Sequence, residues 1–199
     1  MISAALVGGI GSGKSTVLAM FGECGCATVS LDALGHEVLA MAETKRDLAA
    51  AFGPDVLDED GAVLRPVLAG RAFASPEGTQ RLNSITHPRI VALFEERRRE
   101  LSFAADVLVV EVTAGEITRE AMPWAQAIIA VSAPADLRLQ RACARGQQPD
   151  DVRRRMEAQP SDAQRAAVAD FVIENADGLD SLRAQVEGVC AALRKRTML

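Results

Sequence analysis

The chain has 199 residues, a formal net charge of −5 and a hydrophobic content of 49%. A chain of this length can form one substantial domain with an insertion, and its charged content of 25% is that of an ordinary globular protein. The negative charge argues against a general nucleic-acid binder, because binding to a phosphate backbone depends on clustered positive charge.

The N-terminal residues, MISAALVGG, have no basic segment ahead of their apolar run, so we expect neither a signal peptide nor a transit sequence. No apolar run approaches the roughly 20 residues that a membrane helix needs. We therefore expect a cytoplasmic protein without membrane contact, acting as a monomer or a weak homo-oligomer. Four cysteines, including a CxC pair at Cys24 and Cys26, lack metal-ligand spacing and are expected to be reduced structural thiols.

The most informative stretch is the glycine-rich segment from Gly8 to Thr16, which fits the pattern GxxxxGK[ST]. It follows an apolar run, Ile2 to Val7, that predicts a strand, and it precedes a helix predicted from Val17 to about Glu23. Glycines allow backbone N–H groups to turn inward around an anion, and the helix N-terminus adds positive potential at the same point. The segment therefore predicts a phosphate loop that binds a di- or triphosphate.

Within this loop, Lys14 is expected to reach the β- and γ-phosphates, and Ser15 to be a ligand of a bridging Mg²⁺ ion. Glu111, inside a later apolar run, is a second candidate for the metal site, acting from its outer shell. An ordinary glycine-rich turn is the alternative, and the flanking strand and helix argue against it. The other predicted nucleotide contacts in the loop are Gly9, Gly11, Ser12, Gly13 and Thr16.

Five apolar runs alternate with helical patterns, which predicts an α/β fold with a doubly wound, parallel five-stranded sheet. Ligands are expected beyond the carboxyl ends of the strands, where the phosphate loop lies. The predicted strands after the first are Ala27 to Leu31, Val107 to Val112, Ala127 to Val131 and Phe171 to Ile173.

The stretch between the second and third predicted strands is expected to be helical. A helix is expected from Asp32 to Ala42, and Thr44 with Asp47 is expected to form a capping box for a helix running to Phe52. A long amphipathic helix is expected from about His87 to Leu101. We therefore divide the chain into a nucleotide-binding core, residues 1–32 and 104–199, and a helical insertion, residues 33–103.

Asp32 directly follows the second predicted strand and is the candidate to orient an acceptor hydroxyl in line with the γ-phosphate. The alternative is that Asp32 only caps the helix after it. The two histidines, His36 and His87, have a similar alternative, because a histidine beside a helix is more often packed or capping than catalytic.

An arginine-rich segment follows the fourth predicted strand and is expected to include a mobile lid at about residues 146–166. In a phosphotransferase, lid guanidinium groups close on the phosphoryl group and exclude water. Arg141 and Arg145, at i and i+4 on one helix face, are the leading pair, the first as a catalytic residue and the second as a nucleotide contact. The arginines of this region are Arg138, Arg141, Arg145, Arg153, Arg154, Arg155 and Arg165.

With these segments in place, the chain resembles dephospho-CoA kinases over nearly its full length. Beside the phosphate loop, the similarity rests on motifs resembling the family's DAD segment, its DGxLxR and IxHP elements, its lid and its ADxVIxN stretch. They lie here at Ser30 to Asp32, Asp60 to Arg65, Ile85 to Pro88, Arg141 to Arg145 with Met156 to Gln159, and Ala169 to Asn175.

The resemblance implies ATP-dependent phosphorylation of the ribose 3′-hydroxyl of dephospho-CoA, the last step of CoA biosynthesis, giving CoA and ADP. It implies that Asp32 is the catalytic base and that the helical insertion is a CoA domain. It also implies that Arg65 and His87 help to hold the acceptor, and that Asn175 lies near the nucleotide base.

Two departures from the family pattern leave other functions open. Ser30 stands at the first aspartate of DAD, and the stretch Glu111 to Glu116 replaces the family's DVPLLFE. The alternatives are a kinase for another small-molecule acceptor, and a nucleotide-binding regulatory or degenerate paralogue with little transfer activity.

Overall fold

A parallel sheet of five strands forms the centre of the computed structural model, which describes residues 1–113 and 115–197. The strands are β1 (Ile2–Gly8), β2 (Ala27–Ser30), β3 (Val107–Glu111), β4 (Ala127–Ser132) and β5 (Phe171–Glu174). Their order in the sheet is β2-β3-β1-β4-β5, and every neighbouring pair is parallel. The predicted doubly wound α/β fold is confirmed.

Nine α-helices are found among the described residues, and a 3₁₀ turn spans Pro54–Val56. The helices are α1 (Lys14–Glu23), α2 (Leu31–Ala40), α3 (Ala42–Phe52), α4 (Arg65–Ala72), α5 (Pro76–Leu101), α6 (Ala135–Ala144), α7 (Pro149–Ala158), α8 (Asp162–Val168) and α9 (Leu179–Arg196). None of these helices is long and apolar enough to cross a membrane.

The strand register aligns the carboxyl ends of three neighbouring strands. Glu111, the last residue of β3, lies opposite Leu6 of β1 and Ser30 of β2. Strands buried on both faces are expected to be apolar almost throughout, and β1 and β3 are buried at every residue. Glu111 is therefore a carboxylate at the end of a buried strand, on the edge where β1 leads into the phosphate loop.

The largest core cluster joins the sheet to α1 and α9. Phe21 of α1 and Val186 and Leu193 of α9 are fully buried in it. In the same cluster the Sγ atoms of Cys26 and Cys190 lie 3.3 Å apart, and all four cysteines are free thiols.

The chain divides into two compact units. The first comprises Met1–Ser30 with the residues from Glu100 onward, and it contains the sheet, α1 and α6–α9. The second is Leu31–Arg99, a helical unit whose buried cluster is formed by Leu48, Val56 and Leu68. Ala114, within the Glu111 to Glu116 stretch discussed above, lies outside the described residues.

Two predictions for helices of the second unit were wrong. Thr44 does not cap α3, because the helix begins at Ala42 and Met41 is its N-cap. Thr44 is fully buried one turn before Leu48 on the same face, so its side chain is part of the interior.

The long helix α5 begins at Pro76, eleven residues before the predicted start at His87, and continues past Pro88. Ser75 precedes it, and its Oγ accepts a hydrogen bond from the N–H of Gly78 at 3.1 Å. Proline is well suited to the first turn of a helix but removes a hydrogen bond in the interior. The predicted start at His87 therefore lies in the interior of one continuous helix.

Candidate active site

The phosphate loop connects β1 to α1, and its backbone conformation depends on two glycines with positive φ. Gly11 has a φ of 76° and Gly13 a φ of 93°, and Gly13 is the N-cap of α1. Residues with a Cβ rarely adopt these values. Lys14, Ser15 and Thr16 then form the first turn of α1, where free N–H groups and the helix dipole favour a bound anion.

The Lys14 amine is folded back onto the loop. Its Nζ donates hydrogen bonds to the carbonyl oxygens of Gly8 at 2.9 Å and Gly9 at 3.4 Å. Burial lowers the pKa of Lys14; Glu111 opposes this effect, and the charges of Arg165, Arg138 and Arg145 add to it. The carbonyl oxygens are neutral acceptors, so they stabilise the charged form of Lys14 less than a bound phosphate would.

Ser15 and Glu111 bring two side-chain oxygen groups together at the N-terminus of α1. The Ser15 hydroxyl donates to Glu111 Oε1 at 3.1 Å, and Glu111 is only 6% exposed. A hydroxyl and a buried carboxylate suit Mg²⁺, which prefers oxygen ligands and usually keeps water or substrate phosphate in its remaining positions. No group of three or more His, Cys, Asp or Glu side chains within residues 1–113 and 115–197 is arranged to hold a metal ion. The pair therefore fits a metal shared with a nucleotide.

Three side chains from segments distant in sequence form hydrogen bonds with the backbone of the phosphate loop. Arg138 Nε of α6 donates to the Ile10 carbonyl at 2.9 Å, and Gln159 Oε1, at the end of α7, accepts from the Ile10 N–H at 2.9 Å. Asn175 Nδ2, just after β5, donates to the Ser12 carbonyl at 2.8 Å. The conformation of the loop is thus fixed from outside as well as by its glycines.

Arg141 forms two hydrogen bonds with Asn175. Its Nη1 donates to the Asn175 carbonyl at 3.1 Å and its Nη2 to Asn175 Oδ1 at 3.2 Å. Arg145, the other arginine of the predicted pair, is the exposed C-cap of α6, and its charge contributes to lowering the pKa of Lys14. The two arginines chosen for their spacing therefore have different surroundings.

Arg138 was among the arginines predicted for this region but not in the leading pair, and Asp162 was not predicted as a site residue. Asp162 Oδ2 accepts from Arg138 Nη1 at 3.0 Å, and its Oδ1 accepts from Arg165 Nη1 at 2.8 Å. Arg138 lies one turn before Arg141 on α6, so helical periodicity alone includes it in the same face. A polar capping sequence at Ser161 to Gln164 also predicts the start of α8, where Asp162 lies.

The other predicted site residues belong to the second unit and are all exposed. Asp32 is the second residue of α2, and its Oδ2 lies 3.8 Å from His36 Nε2 on the next turn. Arg65 is the first residue of α4, and His87 lies within α5. Their side chains are accessible to a ligand. Asp32 lies inside the first turn of α2 and not at the N-cap position of its alternative interpretation, although an acid in this turn still interacts favourably with the helix dipole.

A cleft of about 260 Å³ lies beside the phosphate loop in the first unit. It brings the start of the loop together with the segment after Glu111 and the connection between α7 and α8. Its walls are formed by Gly8, Val112, Thr113, Gly115, Ile117, Ala158, Gln159, Pro160 and Arg165.

Comparison with known proteins gives matches over nearly the whole chain. A family model described as dephospho-CoA kinase matches residues 2–181. A dephospho-CoA kinase of Corynebacterium efficiens is 36% identical over 198 residues, covering 98% of this chain and 99% of the relative. A dephospho-CoA kinase of Corynebacterium jeikeium is 38% identical over 200 residues, covering 97% and 100%. Among solved structures, TT1252 from Thermus thermophilus is similar with a TM-score of 0.83, at 27% identity over 96% of both chains.

Proposed function

The chain belongs to the dephospho-CoA kinase family, and we propose that its phosphate loop, with Lys14, Ser15 and Glu111, is the centre of phosphoryl transfer. Membership confirms the resemblance drawn from the motifs. The chain is thus a kinase that uses ATP to phosphorylate dephospho-CoA in CoA biosynthesis. The observation that carries the site assignment is the contact between the Ser15 hydroxyl and the buried Glu111 carboxylate at the start of α1.

In this proposal, the triphosphate of ATP occupies the loop and receives hydrogen bonds from its backbone N–H groups. Lys14 Nζ exchanges the carbonyl oxygens of Gly8 and Gly9 for the β- and γ-phosphate oxygens. The exchange replaces neutral acceptors with charged ones, so each hydrogen bond from the ammonium also becomes an ion pair.

Ser15 and Glu111 would hold Mg²⁺. The ion supplies positive charge that neutralises the phosphate oxygens during transfer. Because Glu111 is buried and bonded to Ser15, its carboxylate is held in one place before the nucleotide arrives.

Asp32 is proposed to orient the acceptor hydroxyl. In a loose phosphoryl-transfer transition state the nucleophile loses its proton late, so a carboxylate contributes mainly by positioning that oxygen. Arg65 and His87, exposed on helices of the same unit, are proposed to help to hold dephospho-CoA.

Two arginines at the C-terminal end of α6 are proposed to act on the nucleotide. Arg145, the exposed residue of the pair, is proposed to bind phosphate, and Arg141 is proposed to act beside Asn175. The lid, about residues 146–166, contains α7 and the start of α8. We further propose that the enzyme acts as a monomer or a weak homo-oligomer.

The test is ADP release by the purified protein with Mg²⁺ and ATP, with and without dephospho-CoA, together with analysis of the product for CoA. We expect ADP release that depends on dephospho-CoA and yields CoA. Release with a different acceptor alone, or ATP binding without turnover, would contradict the proposal.

Asp32→Asn is expected to reduce kcat at least about 10²-fold; Glu37→Gln, exposed on the same helix, is the control. If Asp32→Asn stays within a few-fold of the parent, Asp32 is not the base.

A further inference from the structure

Three charged side chains form a network between α6 and α8. Asp162 accepts hydrogen bonds from Arg138 Nη1 through both of its oxygen atoms, at 3.2 and 3.0 Å, and from Arg165 Nη1 at 2.8 Å. The two arginines are only 6% and 2% exposed. A buried charge must be paired to be tolerated, and Asp162 forms an ion pair with both arginines.

The same network reaches the phosphate loop. While Arg138 Nη1 binds Asp162, its Nε donates to the Ile10 carbonyl at 2.9 Å. Gly11 lies so close to Arg138 that a Cβ there would be 2.2 Å from the Arg138 carbonyl oxygen. Because a guanidinium is planar and rigid, its contact with Asp162 determines how its Nε meets Ile10.

The charges in this region make the carboxylate necessary. Lys14, Arg138 and Arg165 are three cations around one loop, and the two arginines contribute to lowering the pKa of Lys14. The pKa of Arg165 is itself lowered by burial and by Arg138, with Asp162 opposing both. Arg165 Nε is also buried without a hydrogen-bond partner in the described part of the chain. Without Asp162 the two guanidinium groups would repel each other, and Arg138 would leave Ile10.

We propose that Asp162 is a positioning residue for phosphoryl transfer: it holds Arg138 and Arg165 together, so that the phosphate loop keeps the conformation that binds ATP. The proposal rests on the function proposed above. Asp162 acts through the arginines and does not contact the reacting atoms. Since it is the first residue of α8, Asp162 connects the start of this helix to the phosphate loop through Arg138.

The experiment compares Asp162→Asn and Asp162→Glu with a control, Asp150→Asn. Asp150 is 87% exposed and pairs only with its neighbour on α7, Arg153, among the described contacts. The readouts are the Kd of a fluorescent ATP analogue, kcat, and KM for ATP and for dephospho-CoA. For Asp162→Asn we expect a Kd and a KM for ATP raised about tenfold, with KM for dephospho-CoA within about twofold of the parent. Asp162→Glu should recover most of the ATP affinity, and Asp150→Asn should match the parent.

A double variant, Asp162→Asn with Arg165→Gln, tests the same charge balance in a second way. If Asp162→Asn folds poorly, the double variant should fold and bind the ATP analogue where the single variant does not. The double variant removes one cation together with the anion, so we expect it to bind the ATP analogue at least about threefold more tightly than Asp162→Asn. The proposal is overturned if Asp162→Asn binds the analogue as tightly as Asp150→Asn, or if the double variant is no better than the single one. The binding measurement decides the role of Asp162 even if the parent fails to phosphorylate dephospho-CoA.

Discussion

The side-chain amide of Asn175 bridges the phosphate loop and Arg141. Its Nδ2 lies 2.8 Å from the Ser12 carbonyl oxygen, 163 residues away in sequence, and its Oδ1 accepts from Arg141 Nη2 at 3.2 Å. Because the arginine can only donate, it fixes which end of the amide faces the loop. A Cβ on Gly13 would lie 2.1 Å from Asn175 Nδ2, so the glycine makes this approach possible.

Asn175→Asp keeps the acceptor for Arg141 but removes the donor to Ser12. We expect nucleotide affinity to fall about tenfold, because a carboxylate facing a carbonyl oxygen in a buried site costs about 1–3 kcal/mol. Titration with a fluorescent ATP analogue measures the effect, and Asn83→Asp, exposed on α5, is the matched control. Equal affinities for the two variants would show that the bridge does not support the loop.

Gly11→Ala is expected to destabilise the protein much more than Gly146→Ala. Both glycines have positive φ, 76° and 84°, so both replacements cost about 1 kcal/mol in backbone strain. A Cβ at Gly146 meets nothing within 4 Å, whereas one at Gly11 meets the backbone of Arg138. We expect the free energy of unfolding in urea to fall by about 3 kcal/mol or more for Gly11→Ala. Similar losses for both variants would rule out the steric explanation.

Lys14→Met is expected to lower the activity of the protein without lowering its stability. Removing the ammonium should lower kcat at least about 10²-fold, because its charge is used in the transition state. The stability of the unliganded protein should not fall, since burial and neighbouring arginines lower the pKa of Lys14 and thus disfavour its charge in the folded state. Lys45→Met on α3 is the control for both measurements. A large loss of stability on Lys14→Met would contradict this account.

Glu111→Gln tests the metal site. The amide retains one oxygen next to Ser15 but loses the negative charge that attracts Mg²⁺. We expect the Mg²⁺ concentration that gives half-maximal activity to rise about tenfold or more. Glu116→Gln, at an exposed position in the same stretch, should leave it unchanged. An unaltered Mg²⁺ requirement in Glu111→Gln would remove Glu111 from the site.

Asp170 should make stability dependent on pH in the acid range. Burial alone would raise its pKa, but hydrogen bonds from the Ile128 N–H and Arg119, with the charges of Arg119 and Arg196, lower it overall. The folded-state pKa is therefore below the unfolded value of about 3.9. The contribution is fully present above about pH 4 and is lost as the pH falls through the folded-state pKa.

Asp170→Asn should accordingly cost about 1–2 kcal/mol in the free energy of unfolding at pH 7. The difference from the parent should shrink as the pH falls through the folded-state pKa of Asp170, because the parent carboxylate then takes up a proton. Urea titrations at several pH values measure this, and Asp177→Asn, exposed after β5, should show no comparable difference. A difference that does not shrink with falling pH would mean that Asp170 acts through its shape and not its charge.

The sequence was sufficient for the sheet and the phosphate loop because both depend on local patterns. Strands buried on both faces are continuous apolar runs, and the five predicted strands begin at the observed residues and end within one residue of the observed ends. The loop was found through the spacing of its glycines, Lys14 and Ser15 between a strand and a helix.

The supports of the loop could not be predicted, because they are contacts between residues far apart in sequence. Arg138 binds Ile10 across 128 residues and Gln159 binds it across 149. Spacing could not distinguish Arg138 from Arg141, since both lie on one face of α6. The errors at Thr44 and His87 had a different cause, because sequence patterns typical of a helix start occurred inside helices. Thr44, for example, is fully buried in the interior of its unit.

The position of β1 in the sheet affects the order of events during synthesis. This first strand pairs only with β3 and β4 in the described sheet, so its partners start at Val107 and Ala127. On a ribosome adding about 5–20 residues per second, the loop that follows β1 remains without its neighbours for several seconds. The contact from Asn175 to Ser12 can form only when β5 has emerged. The nascent chain thus presents its phosphate loop before the strands that flank β1, and the contact that Asn175 makes with the loop follows them.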